Sequence, residues 1–380
     1  MTDSDSDARL ASLRQRFRHV DDAILSLLAR RQELAREIGE AKLRDHLPIR
    51  MPAVEKTVLD HARERAAQLG LSQDLSVELT RLLIRYSCRE QEEAQRRAAG
   101  PAEARKRVLV VGGLGVMGRW IAAFFASSGH LVTLCDQRVP SPDTGSPFPF
   151  SQDLPAAAPA ADVVVLATPV SATAEVIDTV AASGTKALVF DICSSKSPLL
   201  EAIERARVRG LHVTSIHPLF GPQVRYLAGR NIVFCDAGET AACDEALALF
   251  QGSAANLVRM PIQRHDELMR HLLGLSHLVS LVFADTLVRS GVDLRELVQA
   301  GSTSFLAQAA VSGTVVRENP DLYYEIQAEN VATPSLLQDL REAIDAYGKA
   351  IAQRDRQAFK ALMARSSGYF EDIEGMLPRE

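Results

Sequence analysis

Hydrophobic residues recur every three or four positions across residues 8–95, and no stretch there alternates as a strand would. The first run extends from Leu10 to Ile38, a second follows a break at Leu47-Pro48, and a third follows a turn at Gly70. This spacing is typical of amphipathic helices, and it predicts three of them. Helices this long cannot bury their apolar stripes within one chain, so we expect an intertwined homodimer.

Beyond a linker at 98–105, short apolar strands alternate with helices, and from about residue 261 the pattern is helical again. Strands are predicted at 107–111, 131–136, 163–167, 187–191 and 213–217, with an irregular excursion at 140–159. We therefore predict an all-α domain at 1–97, an α/β Rossmann-type doubly wound sheet at 106–260, and an all-α dimerisation and substrate domain at 261–380.

Composition narrows the range of partners. A net charge of -5 over 380 residues favours small metabolites over nucleic acid or an acidic membrane surface. The five cysteines are scattered and never form a CxxC pair, which indicates neither disulfides nor zinc and fits a reducing cytoplasm. The acidic N-terminus does not resemble an export signal, and the apolar tract from Leu272 to Ala284 is too short to span a bilayer.

A GxGxxG fingerprint follows the strand at 107–111 and opens a helix, which is the context that a dinucleotide pyrophosphate requires. Asp136 ends the next strand, where a carboxylate binds ribose hydroxyls and repels a 2'-phosphate. The expected cofactor is therefore NAD, although Arg138 nearby could serve a phosphate instead. The residues predicted at the cofactor are Gly113, Gly115, Val116, Met117, Gly118 and Asp136.

His217 ends the strand at 213–217, at the edge where doubly wound sheets bind ligands. An imidazole there can take a hydroxyl proton while a hydride leaves the same carbon. Neither His265 nor His271 completes a metal spacing such as HExxH, so no metal is predicted.

Residues 105–370 resemble the prephenate dehydrogenases through four segments: 110–113, 191–196, the His-Pro-Leu-Phe-Gly-Pro block at 217–222, and His265-Asp266. The resemblance implies oxidative decarboxylation of prephenate to 4-hydroxyphenylpyruvate, with His217 deprotonating the C4 hydroxyl. It further implies that Thr168 orients the histidine and the nicotinamide, that Lys196 offers positive charge near the substrate, and that His277 contacts the substrate.

One position departs from that family. Thr314 stands where the family usually carries an arginine that binds a substrate carboxylate. Arg317, one helical turn along, or Arg225, in the loop after His217, could replace it. Otherwise the substrate differs, for example arogenate or a 4-amino analogue of prephenate.

Residues 8–95 resemble the all-helical chorismate mutases through the segments at 27–34 and 38–42. The resemblance implies that Arg14 of one subunit and Arg31 of the other bind carboxylates, and that Lys42 and Gln91 hydrogen-bond the ether oxygen of the breaking bond. Glu55 and Ser87 would contact the ring hydroxyl and carboxylate region. Val54, with Met51 three residues earlier, stands where the family carries another carboxylate-binding arginine.

Together these resemblances predict a bifunctional chorismate mutase/prephenate dehydrogenase of tyrosine biosynthesis that takes chorismate and prephenate as substrates. Two alternatives stay open because of Val54 and Thr314. In one, the protein is a dehydrogenase only, acting on prephenate, arogenate or an amino analogue, and the helical domain serves dimerisation or regulation. In the other, it is an NAD-binding sensor with neither activity.

Overall fold

The computed structural model describes residues 3–45, 47–98, 105–140 and 146–371. Most of the linker at 98–105 and part of the excursion at 140–159 fall outside these ranges. The helices are α1 (Asp3–Arg44), α2 (Pro52–Leu69), α3 (Gln73–Ala98), α4 (Val116–Ser127), α5 (Leu154–Ala157), α6 (Val170–Ala182), α7 (Leu200–Val208), α8 (Thr240–Ala248), α9 (Ile262–Met269), α10 (Ser276–Ser290), α11 (Leu294–Gln299), α12 (Thr303–Val315), α13 (Pro320–Ala328), α14 (Thr333–Ala352) and α15 (Arg356–Tyr369). The strands are β1 (Arg107–Val111), β2 (Leu131–Cys135), β3 (Phe150–Ser151), β4 (Val163–Leu166), β5 (Leu188–Asp191), β6 (Val213–Pro218), β7 (Asn231–Asp236) and β8 (Asn256–Pro261).

The three helices predicted for the N-terminal domain are confirmed. Gly70 ends α2 in the left-handed conformation, with φ of 66°, which a residue without a Cβ adopts at no steric cost. α1 packs on α3, and every residue of α1 from 9 to 27 is exposed. These exposed residues include Phe17 and Leu27, so the first half of α1 presents an apolar stripe that no other described part of the chain covers.

The described residues of the central domain form one eight-stranded sheet of order β3-β2-β1-β4-β5-β6-β7-β8. The five predicted strands are present, and β3, β7 and β8 are additional. Among the described strands, every pair is parallel except β6 and β7, which run antiparallel. A twelve-residue connection, residues 219–230, returns the chain beside β6 without a crossover helix, which is the linkage that an antiparallel pair allows.

The parallel strands place their carboxyl ends at one edge of the sheet. The glycine fingerprint follows β1, Asp136 follows β2, and Thr168 follows β4. His217 lies in β6 at the same edge. The sheet therefore gathers the predicted dehydrogenase residues at the side where such folds bind ligands.

The C-terminal domain consists of α9–α15. α9 and α10 form one continuous helical segment, Ile262–Ser290, joined by a π-helical turn at Arg270–Leu275. The tract from Leu272 to Ala284 lies inside this longer segment, which by length and composition alone is apolar enough to cross a membrane. Only 11% of an apolar 18-residue stretch of this segment is buried in the described structure. The segment therefore presents a second large exposed apolar surface.

Candidate active sites

The turn after β1 requires glycines for steric reasons. Gly112 has φ of 76°, and a Cβ there would lie 2.6 Å from the carbonyl oxygen of Ala167. A Cβ at Gly118 would overlap the carbonyl oxygen of Gly112. Because the glycines lack side chains, a ligand can approach the backbone where the turn enters α4. The first backbone N–H groups of α4 point out of the helix N-terminus toward such a ligand. This cradle fits a dinucleotide pyrophosphate, and the sequence prediction had passed over Gly112, although the doubled glycine was its signal.

Asp136 is ordered by its neighbours at the end of β2. Its carboxylate accepts hydrogen bonds from the backbone N–H of Leu114 at 3.1 Å and of Arg138 at 3.0 Å. Burial opposes its charge, but hydrogen bonds from Arg138 and Leu114 lower the pKa of Asp136. The Arg138 guanidinium also contacts this carboxylate, at 3.2 Å, and is itself largely exposed. The side chain is therefore an oriented anion at the position expected for ribose recognition.

His217 belongs to a buried relay of three side chains. Its Nδ1 lies 2.9 Å from Nε2 of His265, and Nδ1 of His265 lies 2.6 Å from Oδ1 of Asp266. Burial and the neighbouring charges of His265 and Lys196 hold the pKa of His217 well below its usual value. The pKa of His265 is lowered by burial as well, so both rings are neutral near pH 7.

The loop after β5 binds the carboxylate of Asp266, the acidic member of this relay. The backbone N–H groups of Lys196 and Ser197 donate to the Asp266 carboxylate at 2.9 and 2.7 Å. The hydroxyl of Ser195 contacts it at 3.2 Å. Burial opposes its charge, but hydrogen bonds from His265 and Ser197 lower the pKa of Asp266. The Ser-Ser-Lys-Ser segment thus orients the relay through its backbone.

Lys196 bridges the neighbouring strands β5 and β6. The side chain is buried, and its Nζ donates to Asp191 Oδ1 at 2.7 Å and to the carbonyls of Cys193 and Ile216 at 2.7 and 2.8 Å. Burial opposes the charge, but the Asp191 carboxylate raises the pKa of Lys196, so the ammonium stays protonated. These three contacts use all three donors of the ammonium, and the implied role of Lys196 near the substrate stays a prediction.

Thr168 lies at the end of β4, where its Oγ1 is 2.8 Å from Oγ1 of Thr173 on α6. Thr173 in turn donates to the carbonyl of Pro169 at 2.9 Å. The contact fixes the Thr168 hydroxyl at the ligand-binding edge of the sheet.

His277 lies on α10 against Tyr323 of α13, with ring centroids 4.4 Å apart. Its Nδ1 is buried without a hydrogen-bond partner among the described residues, and burial lowers its pKa. Such an orphaned atom is costly unless a ligand satisfies it, which favours the predicted substrate contact. Tyr323 was not predicted, because an aromatic residue on an amphipathic helix gives no distinctive sequence signal.

The two arginines considered as replacements at position 314 lie in different places. The Thr314 hydroxyl donates a hydrogen bond to the carbonyl of Ala310, one turn earlier in α12, at 3.1 Å. The Arg317 guanidinium lies back along α12, close to Gly313. Arg225 is 4.0 Å from Glu93 of α3 and 5.3 Å from the Tyr226 ring, so it faces the N-terminal helices rather than completing the His217 relay.

A second cluster lies between α1, α2 and α3. Arg31 donates to the carbonyl of Leu83 at 2.7 Å and to the hydroxyl of Ser87. Lys42 donates to the carbonyl of Ile49 at 2.6 Å, and burial lowers its pKa. Gln91, one turn beyond Ser87, is buried with its Oε1 unpartnered within the described structure.

Glu55 completes this cluster through a partner that the sequence prediction missed. Arg50, in the loop before α2, forks onto the Glu55 carboxylate at 2.8 and 2.6 Å. By contrast, Arg14 lies 17 residues before Arg31 on the exposed half of α1, about 26 Å along the helix. One chain therefore brings together Arg31, Lys42, Glu55, Ser87 and Gln91, but not Arg14.

Three family descriptions match successive parts of this chain. The family described as chorismate mutase type II matches residues 13–92. The nucleotide-binding and dimerization domains of prephenate dehydrogenase match residues 136–258 and 261–365.

Individual relatives cover the chain in the same order. A T-protein of Enterobacter agglomerans is 30% identical over 96% of this chain and 94% of its own. A 4-amino-4-deoxyprephenate dehydrogenase of Streptomyces pristinaespiralis is 30% identical over 72% of this chain and 94% of its own. A prephenate dehydrogenase of A. aeolicus, solved with hydroxyphenyl propionate and NAD+, shares the fold with a TM-score of 0.58 at 17% identity, over 72% of this chain and 99% of its own.

Proposed function

Because the chain belongs to the T-protein family of bifunctional chorismate mutase/prephenate dehydrogenases, we propose that its two side-chain clusters catalyse consecutive steps. The α1–α3 cluster rearranges chorismate to prephenate, and the His217 cluster oxidatively decarboxylates prephenate with NAD. The observation that carries the second step is the relay from Asp266 through His265 to His217. The family and both of its reactions belong to tyrosine biosynthesis.

The relay fixes the tautomer of the catalytic base. The Asp266 carboxylate can only accept, so Nδ1 of His265 donates and Nε2 of that neutral ring accepts. His217 must then donate from Nδ1, which leaves its Nε2 unprotonated. This atom can take the C4 hydroxyl proton of prephenate as the hydride leaves the same carbon.

The remaining dehydrogenase residues position the reactants. The glycine cradle at 112–118 and the Asp136 carboxylate would hold the pyrophosphate and the adenosine ribose of NAD. Bound there, NAD supplies the hydride acceptor. Thr168 offers a fixed hydroxyl at the same edge, and the unpartnered Nδ1 of His277 is available for a polar group of the substrate. Lys196 stabilises the site by bridging Asp191, at the end of β5, and the backbone carbonyl of Ile216 in β6.

The mutase reaction needs no nucleophile, so its site works through fixed charge and shape. Arg31 and Lys42 are half-buried cations, held by backbone carbonyls and suited to a dicarboxylate substrate. The buried Gln91 amide and the Lys42 ammonium are the donors for the ether oxygen that gains charge as the bond breaks. Ser87 is oriented by Arg31, and Glu55 by Arg50.

The protein acts as a homodimer in this proposal. The exposed stripe of α1 and the segment Ile262–Ser290 are both apolar, and a second copy of this chain is the occupant that covers them. A second copy also explains Arg14, which can complete a mutase site only in a partner. Sedimentation should give twice the chain mass of 41.4 kDa, and Phe17→Asp should lower both the mass and the mutase activity. A monomeric wild-type protein would exclude this arrangement.

The cytoplasm is the compartment that suits this enzyme. The five cysteines are unpaired and buried, as a reducing compartment permits.

A second dehydrogenase substrate is favoured by one observation. The S. pristinaespiralis relative, named for 4-amino-4-deoxyprephenate, is as similar in identity as the T-protein. Either a hydroxyl or an amine at C4 can donate to an unprotonated Nε2 of His217. NADH formation should therefore be measured in parallel with chorismate, prephenate, arogenate and the 4-amino analogue. Prephenate should give the highest kcat/KM, and a higher value for the amino compound would reassign the second step.

A further inference from the structure

The N-terminal helices and the nucleotide-binding domain meet through a small packed cluster. Ile49, Ile84 and Cys88 lie against Ala228 and Ala254 of the nucleotide-binding domain. Ile49 is 2% exposed and Ala254 is fully buried, so the contact is tightly packed. The loop between α1 and α2 is therefore anchored in the neighbouring domain.

Two polar contacts flank this cluster. The buried Glu92 carboxylate of α3 accepts from the backbone N–H of Leu227 at 3.0 Å. On the other side, Nη1 of Arg50 donates to Oδ1 of Asn256 at the start of β8. Asn256 is itself oriented by donating through Nδ2 to Asn231 at 2.9 Å. Each contact lies next to a residue of the mutase cluster, since Glu92 follows Gln91 and Arg50 holds Glu55.

Resting on the mutase activity proposed above, we propose that Arg50 is a positioning residue through which the nucleotide-binding domain holds Glu55 in place. The Arg50 guanidinium uses Nε and Nη2 for Glu55 and Nη1 for Asn256. A planar fork bound at both ends has one orientation, which fixes the Glu55 carboxylate as well. The dehydrogenase half of the chain thus forms a structural wall of the mutase site.

The charge balance of the cluster agrees with this role. Hydrogen bonding to Glu55 raises the pKa of Arg50, so the guanidinium stays protonated. Arg31 and Lys42 then remain as cations for a substrate dianion, while Arg50 is occupied. Val54 stands where the chorismate mutases carry another arginine. That position therefore supplies no second guanidinium to compete with Arg50 for Glu55.

The test uses the full-length protein and a double-mutant cycle. Asn256→Leu removes the acceptor for Arg50 although residue 256 belongs to the other domain. Arg259→Ala, on the same strand but paired with Asp236 and Asp244, is the matched control. Chorismate rearrangement and prephenate oxidation are measured for the wild type, N256L, R50A, R50K, the R50A/N256L double variant and R259A.

We expect N256L to lower mutase kcat/KM by about threefold to tenfold, and R50A by about tenfold or more. The double variant should be no worse than R50A alone, because Asn256 acts through Arg50. R50K should recover little, since an ammonium cannot form the fork. Prephenate oxidation should stay within about twofold of wild type in every variant, which shows that each one folds.

The inference would be overturned if N256L kept the mutase activity of the wild type and did not differ from the R259A control. Additive losses in the double variant would also overturn it, as would a loss confined to KM in R50A, which would make Arg50 a direct substrate ligand. Absence of chorismate turnover in the wild type would instead refute the proposed mutase function itself.

Discussion

Nδ1 of His217 and Nε2 of His265 lie 2.9 Å apart in the interior of the protein, 48 residues apart in sequence. The contact joins the sheet domain to the first helix of the C-terminal domain, since His217 is the penultimate residue of β6 and His265 lies in α9. Because Asp266 decides which nitrogen of His265 carries the proton, it also decides which nitrogen of His217 is the base.

His265→Asn should lower kcat for prephenate oxidation by about tenfold to hundredfold, with a smaller effect on KM, because the base loses its preferred tautomer. Asp266→Asn should act in the same direction. His271→Asn, at an exposed histidine of the following turn, is the control and should leave kcat unchanged. Unchanged turnover in both relay variants would show that the relay does not set the tautomer of His217.

The pH dependence of the dehydrogenase follows from the low pKa of His217. Its ordinary value is 6.5, and burial lowers it in the folded protein, so the neutral base persists as the pH falls through 6.5. The kcat/KM for prephenate oxidation should therefore be flat from about pH 8 to about 6.5 and decline only below that. An acid limb centred at or above 6.5, measured with saturating NAD+, would contradict the assignment.

Lys196→Met should destabilise the protein by about 3 to 5 kcal/mol, because it leaves the buried Asp191 carboxylate without the cation that pairs with it. Lys186→Met, at an exposed lysine before β5, should have little effect. Denaturant unfolding measures the difference. If K196M unfolded normally but raised KM for prephenate, Lys196 would contact the substrate after all.

Coenzyme choice depends on Asp136 and Arg138 together. Asp136→Ala should raise KM for NAD+ by about tenfold and improve NADP+ use, because the freed Arg138 guanidinium can then meet a 2'-phosphate. The double variant with Arg138→Ala should lose that gain, whereas Arg138→Ala alone should keep the preference for NAD+. Initial rates with both coenzymes decide this, and a wild-type preference for NADP+ would refute it.

Sequence periodicity predicted the elements well where they were long or apolar. It gave the three N-terminal helices, the strands around the cofactor site and the positions of Asp136 and His217. It missed β3, which has only two residues, and it missed β7 and β8, because a short apolar run such as residues 232–235 cannot be assigned to a strand by periodicity alone.

Contacts between distant residues could not be predicted in this way. In the sequence, nothing distinguishes Arg50 from any other loop arginine. Its contact with Asn256, 206 residues away, is visible only in the folded structure. Lys196 follows a strand, where lysines are usually solvated, and only the packing of β5 against β6 shows that it is buried.

Gly39 allows α1 and α3 to approach closely at the mutase site. A Cβ added there would lie 2.8 Å from Cα of Gln91, and because this is backbone, α3 would have to move. Gly39→Ala should therefore lower the free energy of unfolding by about 1 to 3 kcal/mol and displace the Gln91 amide, with a loss of mutase activity. Gly348→Ala is the matched control, since it lies inside α14 with nothing within 4 Å, and helix propensity there should add up to about 1 kcal/mol. Equal melting temperatures and equal chorismate turnover for the two variants would show that the approach of α1 to α3 is looser than this distance implies.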